Sequence, residues 1–535
     1  MANLALFGGN KLASRGRATD TINLAGGRAY KLSNKATLAQ YVATGTFAQT
    51  FYASGAEQLD EVVKLTGNVE PEFIAKCAIY GRREAHMKDA PAVLLAALSV
   101  LSPGLMAEAF DRVIDNGRML RTFVQVMRSG LVGRRSLGTL PKRLIGDWLN
   151  RRPAEALFRD SIGTGPSLAD VIKMAHPKPA DEERRALFAY LLGREHDAER
   201  LPEIVWEFEQ FKADLAANRP GKTPDLPFTM LAGLPLAERH WRDIAEHAPW
   251  NTTRMNLNTF LRHNVFTQPG MTDTVARRLA DAELVRRARA FPYSLMAAYV
   301  HADKDLPRQV KAALHAAMEA SVANVPALRR ADGSEATVAV LPDVSGSMHS
   351  AVTGYRPGQT TAVRCIDVAA LVAACVLRNN PRSLVVPFHD KACPEAGGKL
   401  SADRPVLENA KTLAALPSGG TDCSAPLRWL ESVGHAPDVV IFVSDNESWI
   451  DPGRPWGGSR ATATADAWAK LKRRNPRAKL VCLDVQPYAT TQARSATDVL
   501  NVGGFSDAVW TVIDRFAHGD SSADHWVRVI EETSI

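Results

Sequence analysis

The chain of 535 residues contains no run of about 18 apolar residues, the length a membrane-spanning helix requires. Its first 16 residues, MANLALFGGNKLASRG, lack a basic region ahead of a long apolar stretch, so a secretory signal is not expected. Cysteine is scarce. The six residues (Cys77, Cys365, Cys375, Cys393, Cys423, Cys482) form no Cys-x-x-Cys pair and lie mostly in apolar contexts. Free thiols in a reducing compartment are the simplest account, with the cytoplasm as the default location. There is no Walker A loop and no convincing Ser/His/Asp order.

Acids are missing from one stretch. Residues 118–152 hold nine basic side chains, Arg118, Arg121, Arg128, Arg134, Arg135, Lys142, Arg143, Arg151 and Arg152, against the single acid Asp147. The imbalance extends to the whole N-terminal part: residues 1–330 carry 45 Lys+Arg against 35 Asp+Glu, whereas the remainder carries 20 against 23. A charge run is usually a solvated helix face. One stripped of interspersed acids is the footprint expected of phosphate binding.

What is present in the first 330 residues is helical. Apolar residues recur at spacings of three and four over 38–43, 58–65, 71–82, 90–101, 105–116, 140–150, 182–192, 236–247, 273–290 and 307–321. Proline and glycine punctuate them at Pro103-Gly104, Pro166, Pro177, Pro220-Gly221 and Pro269-Gly270. Successive amphipathic helices without strands suggest stacked helix pairs, an α-solenoid.

The last 200 residues change character. Short apolar runs at 337–341, 383–388, 439–443 and 479–485 alternate with helical stretches at 362–377, 425–433, 463–474 and 508–516. This alternation predicts a doubly wound α/β domain with a parallel sheet. Three loops at the carboxyl edge of such a sheet carry oxygen ligands. After the first run comes Asp-Val-Ser-Gly-Ser, with Asp343, Ser345 and Ser347. PSGGTD presents Thr421, and VVIFVSDN ends in Asp445. Ligands of open α/β sheets bind outside the carboxyl ends of the strands. Carboxylates and hydroxyls are hard donors that suit Mg²⁺ above Ca²⁺ or Mn²⁺. Alone, D-x-S-x-S reads equally well as a capped strand-to-helix turn.

The three segments together resemble the von Willebrand factor A domain and its metal-ion-dependent adhesion site. That resemblance makes Asp343, Ser345, Ser347, Thr421 and Asp445 the metal ligands, directly or through water. The N-terminal part is similar to the TROVE module. The matching segments are AGGRAYKLSNKATLAQYVATGTFAQTFYAS (25–54), MKDAPAVLLAAL (87–98), PKRLIGDWLN (141–150), IKMAHPKP (172–179) and ARAFPYSLMAAYVHA (288–302). GGFSDAVWTVIDRFA (503–517) adds a C-terminal match. Leu149 stands where the family has an aromatic, and Ala290-Phe291-Pro292-Tyr293 where many members have His-Pro-Phe. The order of the two modules resembles the Ro ribonucleoprotein autoantigen family in its bacterial form, with a TROVE part over 1–334 and an A domain over 335–535.

The resemblance implies a ring of HEAT-like repeats closed by the A domain. Small Y RNAs would bind an outer basic surface, and single-stranded 3′ ends of misfolded or precursor RNA would enter the central hole. By motif, Lys142 and Arg143 would meet the Y RNA backbone, Arg134 and Arg135 would assist, and His176 would contact RNA beside Lys173 and Lys178. Trp148 suits core packing better than base stacking. Arg82, Arg83 and Lys88 are further basic candidates, and Asn256 and Asn258 either face RNA or cap a helix. The expected protein is a non-enzymatic, monomeric scaffold, with an exoribonuclease tethered through RNA among its partners. Two other readings compete. One is a protein-adhesion module whose cation takes a partner's acidic side chain. The other is a metal-dependent ribonuclease or phosphatase. Against the latter, Ser345 stands where a D-x-D general acid would be, and Asp422 and Glu447 are the only further acids in those loops.

Overall fold

The computed structural model describes residues 18–163, 165–219, 221–288, 290, 292–355, 363–448, 461–504, 507–519 and 524–535. The opening 16 residues, Pro220, Phe291, the start of the helix expected from 362, and part of the 503–517 match therefore lie outside the described residues. The chain forms two compact units. One joins residues 1–65, 289–301 and 317–532; the other holds 66–288, 302–316 and 533–535.

In the first unit, β3 (Val338–Pro342), β4 (Leu384–Val385), β5 (Val439–Ser444), β6 (Lys479–Asp484) and β8 (Val499–Gly503) make a five-stranded sheet in the order β4-β3-β5-β6-β8. Every pairing is parallel. Strands buried on both faces read as continuous apolar runs, which is why VAVLP and VVIFVS carry no alternation. Helices Cys365–Asn379, Val406–Ala414, Ala425–Ser432 and Ala463–Arg474 supply the crossovers. Phe388 and Phe442 meet edge to face at 5.5 Å within a core that includes Leu341, Leu427 and Trp468. The chain leaves β3 in one direction for β4 and in the other for β5. The β3/β5 boundary is therefore the switch point, and Asp343 and Asp445 sit there.

Three features depart from the sequence expectations. The run at 383–388 gives only two paired strand residues. Val386 and Phe388 still donate to β3 carbonyls at 2.9 and 3.1 Å, but Pro387 between them has no N–H to offer. The stretch 273–290 is split into Met271–Ala280 and Ala282–Arg287, because Asp281 leaves the helix and caps the second segment through Leu284 N. Finally, β8 was not foreseen, nor was a small antiparallel sheet in which β2 (Arg28–Lys31) lies between β1 (Thr21–Ile22) and β7 (Thr490–Thr491).

The second unit is built of helices, and among its described residues there is no strand. Pro71 and Pro103 open helices Pro71–Arg83 and Pro103–Val113, where a missing N–H costs nothing. Phe110 and Phe123 pack edge to face at 5.5 Å between helices Pro103–Val113 and Gly117–Ser129. No described helix anywhere in the chain is long and apolar enough to cross a membrane. All six cysteines are free.

Candidate functional site

At the switch point, Asp343 follows β3 and is fully buried. It accepts from Ser345 N at 2.8 Å and from Ser444 Oγ at 2.6 Å. The Ser345 and Ser347 hydroxyls lie 3.4 Å apart. Gly346 N donates to Gly419 O at 3.0 Å, which draws the PSGGTD loop and its Thr421 against the two serines. Asp445, 1% exposed, accepts from Glu447 N at 3.2 Å through one oxygen; its other oxygen is buried with no well-formed hydrogen bond. The five sequence-derived candidates are thus brought to one edge, and each is buried.

The electrostatics of this edge are unusual. Burial, then the neighbouring Asp445 charge, pushes the Asp343 carboxyl up. Burial likewise raises Asp445, with the Ser347 hydroxyl pulling in the other direction. Two further acids join them. Glu447 is pushed up to about 7 by burial and by Asp445. Asp484, at the end of β6, is raised by burial and then by Asp445 and Glu447, and one of its oxygens has no partner. Unpaired buried carboxylates are costly. A hard divalent cation would answer both the repulsion and the orphaned oxygen of Asp445, so the donor set fits one. Among the described residues no cluster of three or more His, Cys, Asp or Glu side chains has metal-holding geometry. A cation here would therefore depend on the Ser345, Ser347 and Thr421 oxygens. Asp422 is not available to it, because Arg428 holds it at 2.7 Å and Ser424 at 2.5 Å.

The basic candidates lie in the helical unit. Lys142 and Arg143 are exposed on helix Thr139–Arg151, with no acidic partner among the described residues. His176 ends helix Leu168–Ala175 in a left-handed conformation, φ 50°, which turns the chain into Pro177 and Lys178. Asn150, on the basic helix, donates to Lys178 O at 2.8 Å and accepts from Ala180 N at 3.1 Å. The His-Pro-Lys-Pro turn is thereby tied to the end of the helix that carries Lys142 and Arg143. His176, Lys173 and Lys178 are all exposed.

Other basic residues are engaged. Arg134 donates to Ser99 O at 3.0 Å, whereas Arg135 is exposed. Arg121 bonds Asp160 O, Arg151 pairs with Asp111 and Arg152 with Asp160. Arg82 forms a two-pronged pair with Asp115, and Arg83 donates to Arg112 O. Trp148 is buried and donates to Ile114 O at 2.8 Å, as core packing requires. Asn256 donates to Thr252 O, and Asn258 accepts from Asp303 N.

Residues 336–517 match the family described as the Ro60 vWA domain. The chain is 25% identical over 533 residues to the RNA-binding protein RO60 of Deinococcus radiodurans, covering 93% of this chain and 95% of that protein. The chain is thus similar to a Ro protein over nearly its whole length. A second relative, the RNA-binding protein RO60 of Caenorhabditis elegans, is 26% identical over 258 residues, 46% of this chain and 37% of its own. The crystal structure of the Deinococcus radiodurans RO (RSR) protein has the same fold, with a TM-score of 0.63 at 21% identity, covering 91% of this chain and all of that one. The Ro-type architecture of a helical part plus an A domain is therefore present.

Sequence reasoning missed Asp484 and Gln40. The first had a signal, since it ends an apolar strand as Asp343 and Asp445 do. Gln40, which bonds Asp484 from 444 residues away, had none.

Proposed function

We propose that this protein is an RNA-binding scaffold that holds a Y-type RNA on its basic face. The observation that carries this is the pair Lys142 and Arg143, exposed and without acidic partners among the described residues, on the helix tied through Asn150 to the His176–Lys178 turn. Arg135, Lys173 and Lys178 extend the positive surface. Such contacts fix a backbone by charge and give salt-dependent affinity with little base readout. The second RNA in this reading is a misfolded or precursor species whose single-stranded 3′ end enters the ring expected from the resemblance. An exoribonuclease tethered through the Y RNA would then act on that end, in the cytoplasm, with the protein as a monomer. The reading as a scaffold and not a nuclease is supported by Asp422, whose pairing with Arg428 withdraws it from any two-metal arrangement.

A metal belongs to the same proposal. Mg²⁺ would be held by Ser345, Ser347 and Thr421, with Asp343 and Asp445 coordinating directly or through water. When bound it supplies positive charge to the buried carboxylates. The experiment is a binding series with a hairpin RNA, with and without a 3′ tail, at several salt concentrations. Tight, salt-sensitive binding without cleavage supports the reading, and cleavage or absence of binding rejects it.

A further inference from the structure

The A-domain unit contains a segment that the function above does not use. Residues 46–54 leave helix Asn34–Thr44 and run to the start of helix Gly55–Thr66. They are fastened at two places on the carboxyl edge of the sheet. The first is the continuation of the Ser345–Ser347 loop. Thr46 Oγ1 donates to Thr353 O at 2.7 Å, and Gln49 and Tyr355 exchange both backbone hydrogen bonds at 3.2 and 2.7 Å. Between those anchors Gly354 has φ +71°, and a Cβ there would meet Gln49 O at 2.7 Å and Ala48 Cβ at 2.8 Å. Only glycine permits so close an approach.

The second fastening is the loop after β6. The Tyr488 hydroxyl lies 3.2 Å from Thr50 Oγ1 and 3.1 Å from Gln486 Oε1, and the Tyr52 ring stands edge-on to Tyr488 at 5.7 Å. The segment is also stiff. Thr50 N and Oγ1 both bond Ala53 O, at 2.8 and 3.0 Å, and the buried Gln58 side chain holds Ala48 O at 2.7 Å. Tyr52 belongs to this second fastening. Its phenol is raised by burial, with the Asp445 charge adding to the rise and the Ser347 hydroxyl opposing it.

We propose that residues 46–54 are a built-in strap over the candidate metal edge, with Tyr52 occupying the approach that an external acidic ligand would need. The site is then closed by the protein's own chain, and its cation serves the fold and takes no partner carboxylate. This rests on the reading of that edge as a cation site. It turns against the adhesion reading on a physical ground: coordination of a partner's side chain needs an open position, and the ligand residues are at most 5% exposed.

The test uses Mn²⁺ as probe with the full chain, followed by electron paramagnetic resonance for affinity and water-proton relaxation for exchangeable water on the bound ion. The wild type is expected to bind Mn²⁺ with low relaxation enhancement that added glutarate does not change. Tyr52→Ala is expected to raise the enhancement roughly twofold, as one water position opens on an ion that keeps few, and glutarate then lowers it. Tyr52→Phe, which keeps the ring, stays like wild type. Should Tyr52→Ala not fold, Thr46→Val, which removes only the bond to Thr353, reads the same opening. High, glutarate-sensitive enhancement in the wild type overturns the strap. Equal enhancement in wild type and the opened variants also overturns it. Absence of Mn²⁺ binding in every protein overturns the cation site itself, and the strap's role with it.

Discussion

Gln40 donates from Nε2 to Asp484 Oδ2 at 2.9 Å, joining helix Asn34–Thr44 to the end of β6 across 444 residues of sequence. Both side chains are 1% exposed. Ala25 N donates in the same way to Glu447 at 3.2 Å, and Asn23 to Ser448 O at 2.8 Å. The buried acids of the sheet edge are thus satisfied in part by the N-terminal segment.

Gln40→Ala is expected to destabilise the A-domain unit by about 1–3 kcal/mol, the cost of leaving a buried polar group without its partner. Denaturant unfolding measures this. In an Asp484→Asn background the same substitution is expected to cost less, since the buried acid is gone. Equal costs in both backgrounds would show that the pair is not coupled.

The Asp484 carboxyl is raised by burial, so the folded state binds its proton more tightly than the unfolded state does. Stability contributed by this group is then present below the ordinary aspartate value of about 4 and falls as pH rises from there through the raised folded value. Asp484→Asn is expected to flatten that fall. Melting temperatures of both proteins across acidic to neutral pH check it, and parallel curves would assign the slope to other groups.

Lys142→Ala with Arg143→Ala is expected to weaken binding of a Y-like RNA. It should also reduce the slope of log affinity against log salt by about 2, roughly one for each lost phosphate contact. An unchanged slope would remove this helix from the interface. Arg82→Ala is the contrasting case: its pairing with Asp115 at 2.7 Å predicts lost stability without a change in salt slope.

Asp343→Ala is expected to abolish the rise in melting temperature that Mg²⁺ produces in the wild type, because a ligand that binds only the folded state stabilises it by mass action. RNA affinity should be unaffected, since the basic helix lies in the other unit. A Mg²⁺ shift that survives the substitution would place the cation elsewhere.

The loops carrying Asp343, Thr421 and Asp445 were legible because each follows a buried apolar run or a glycine turn, signals that are local in sequence. The strand β8 was not. Its sequence VLNVG contains Asn501, satisfied by Thr491 and Ala493, and Gly503, where a Cβ would meet Gln40 Oε1 at 2.4 Å. Both residues weaken a strand pattern for tertiary reasons. The membership of residues 18–65 in the A-domain unit was equally hidden, because it rests on pairings such as Tyr30 with Thr491. On the basic face, the charges counted in sequence did not separate into free and engaged. Asp115, Asp111 and Asp160, which hold Arg82, Arg151 and Arg152, are recognisable as partners only in three dimensions.

The most direct test of the account is the affinity of the purified protein for one hairpin RNA, with and without a single-stranded 3′ tail, across a salt series. The account predicts tight binding that weakens steeply with salt, is stronger with the tail, and leaves the RNA intact. Failure to bind either RNA, or binding indifferent to salt, would contradict it.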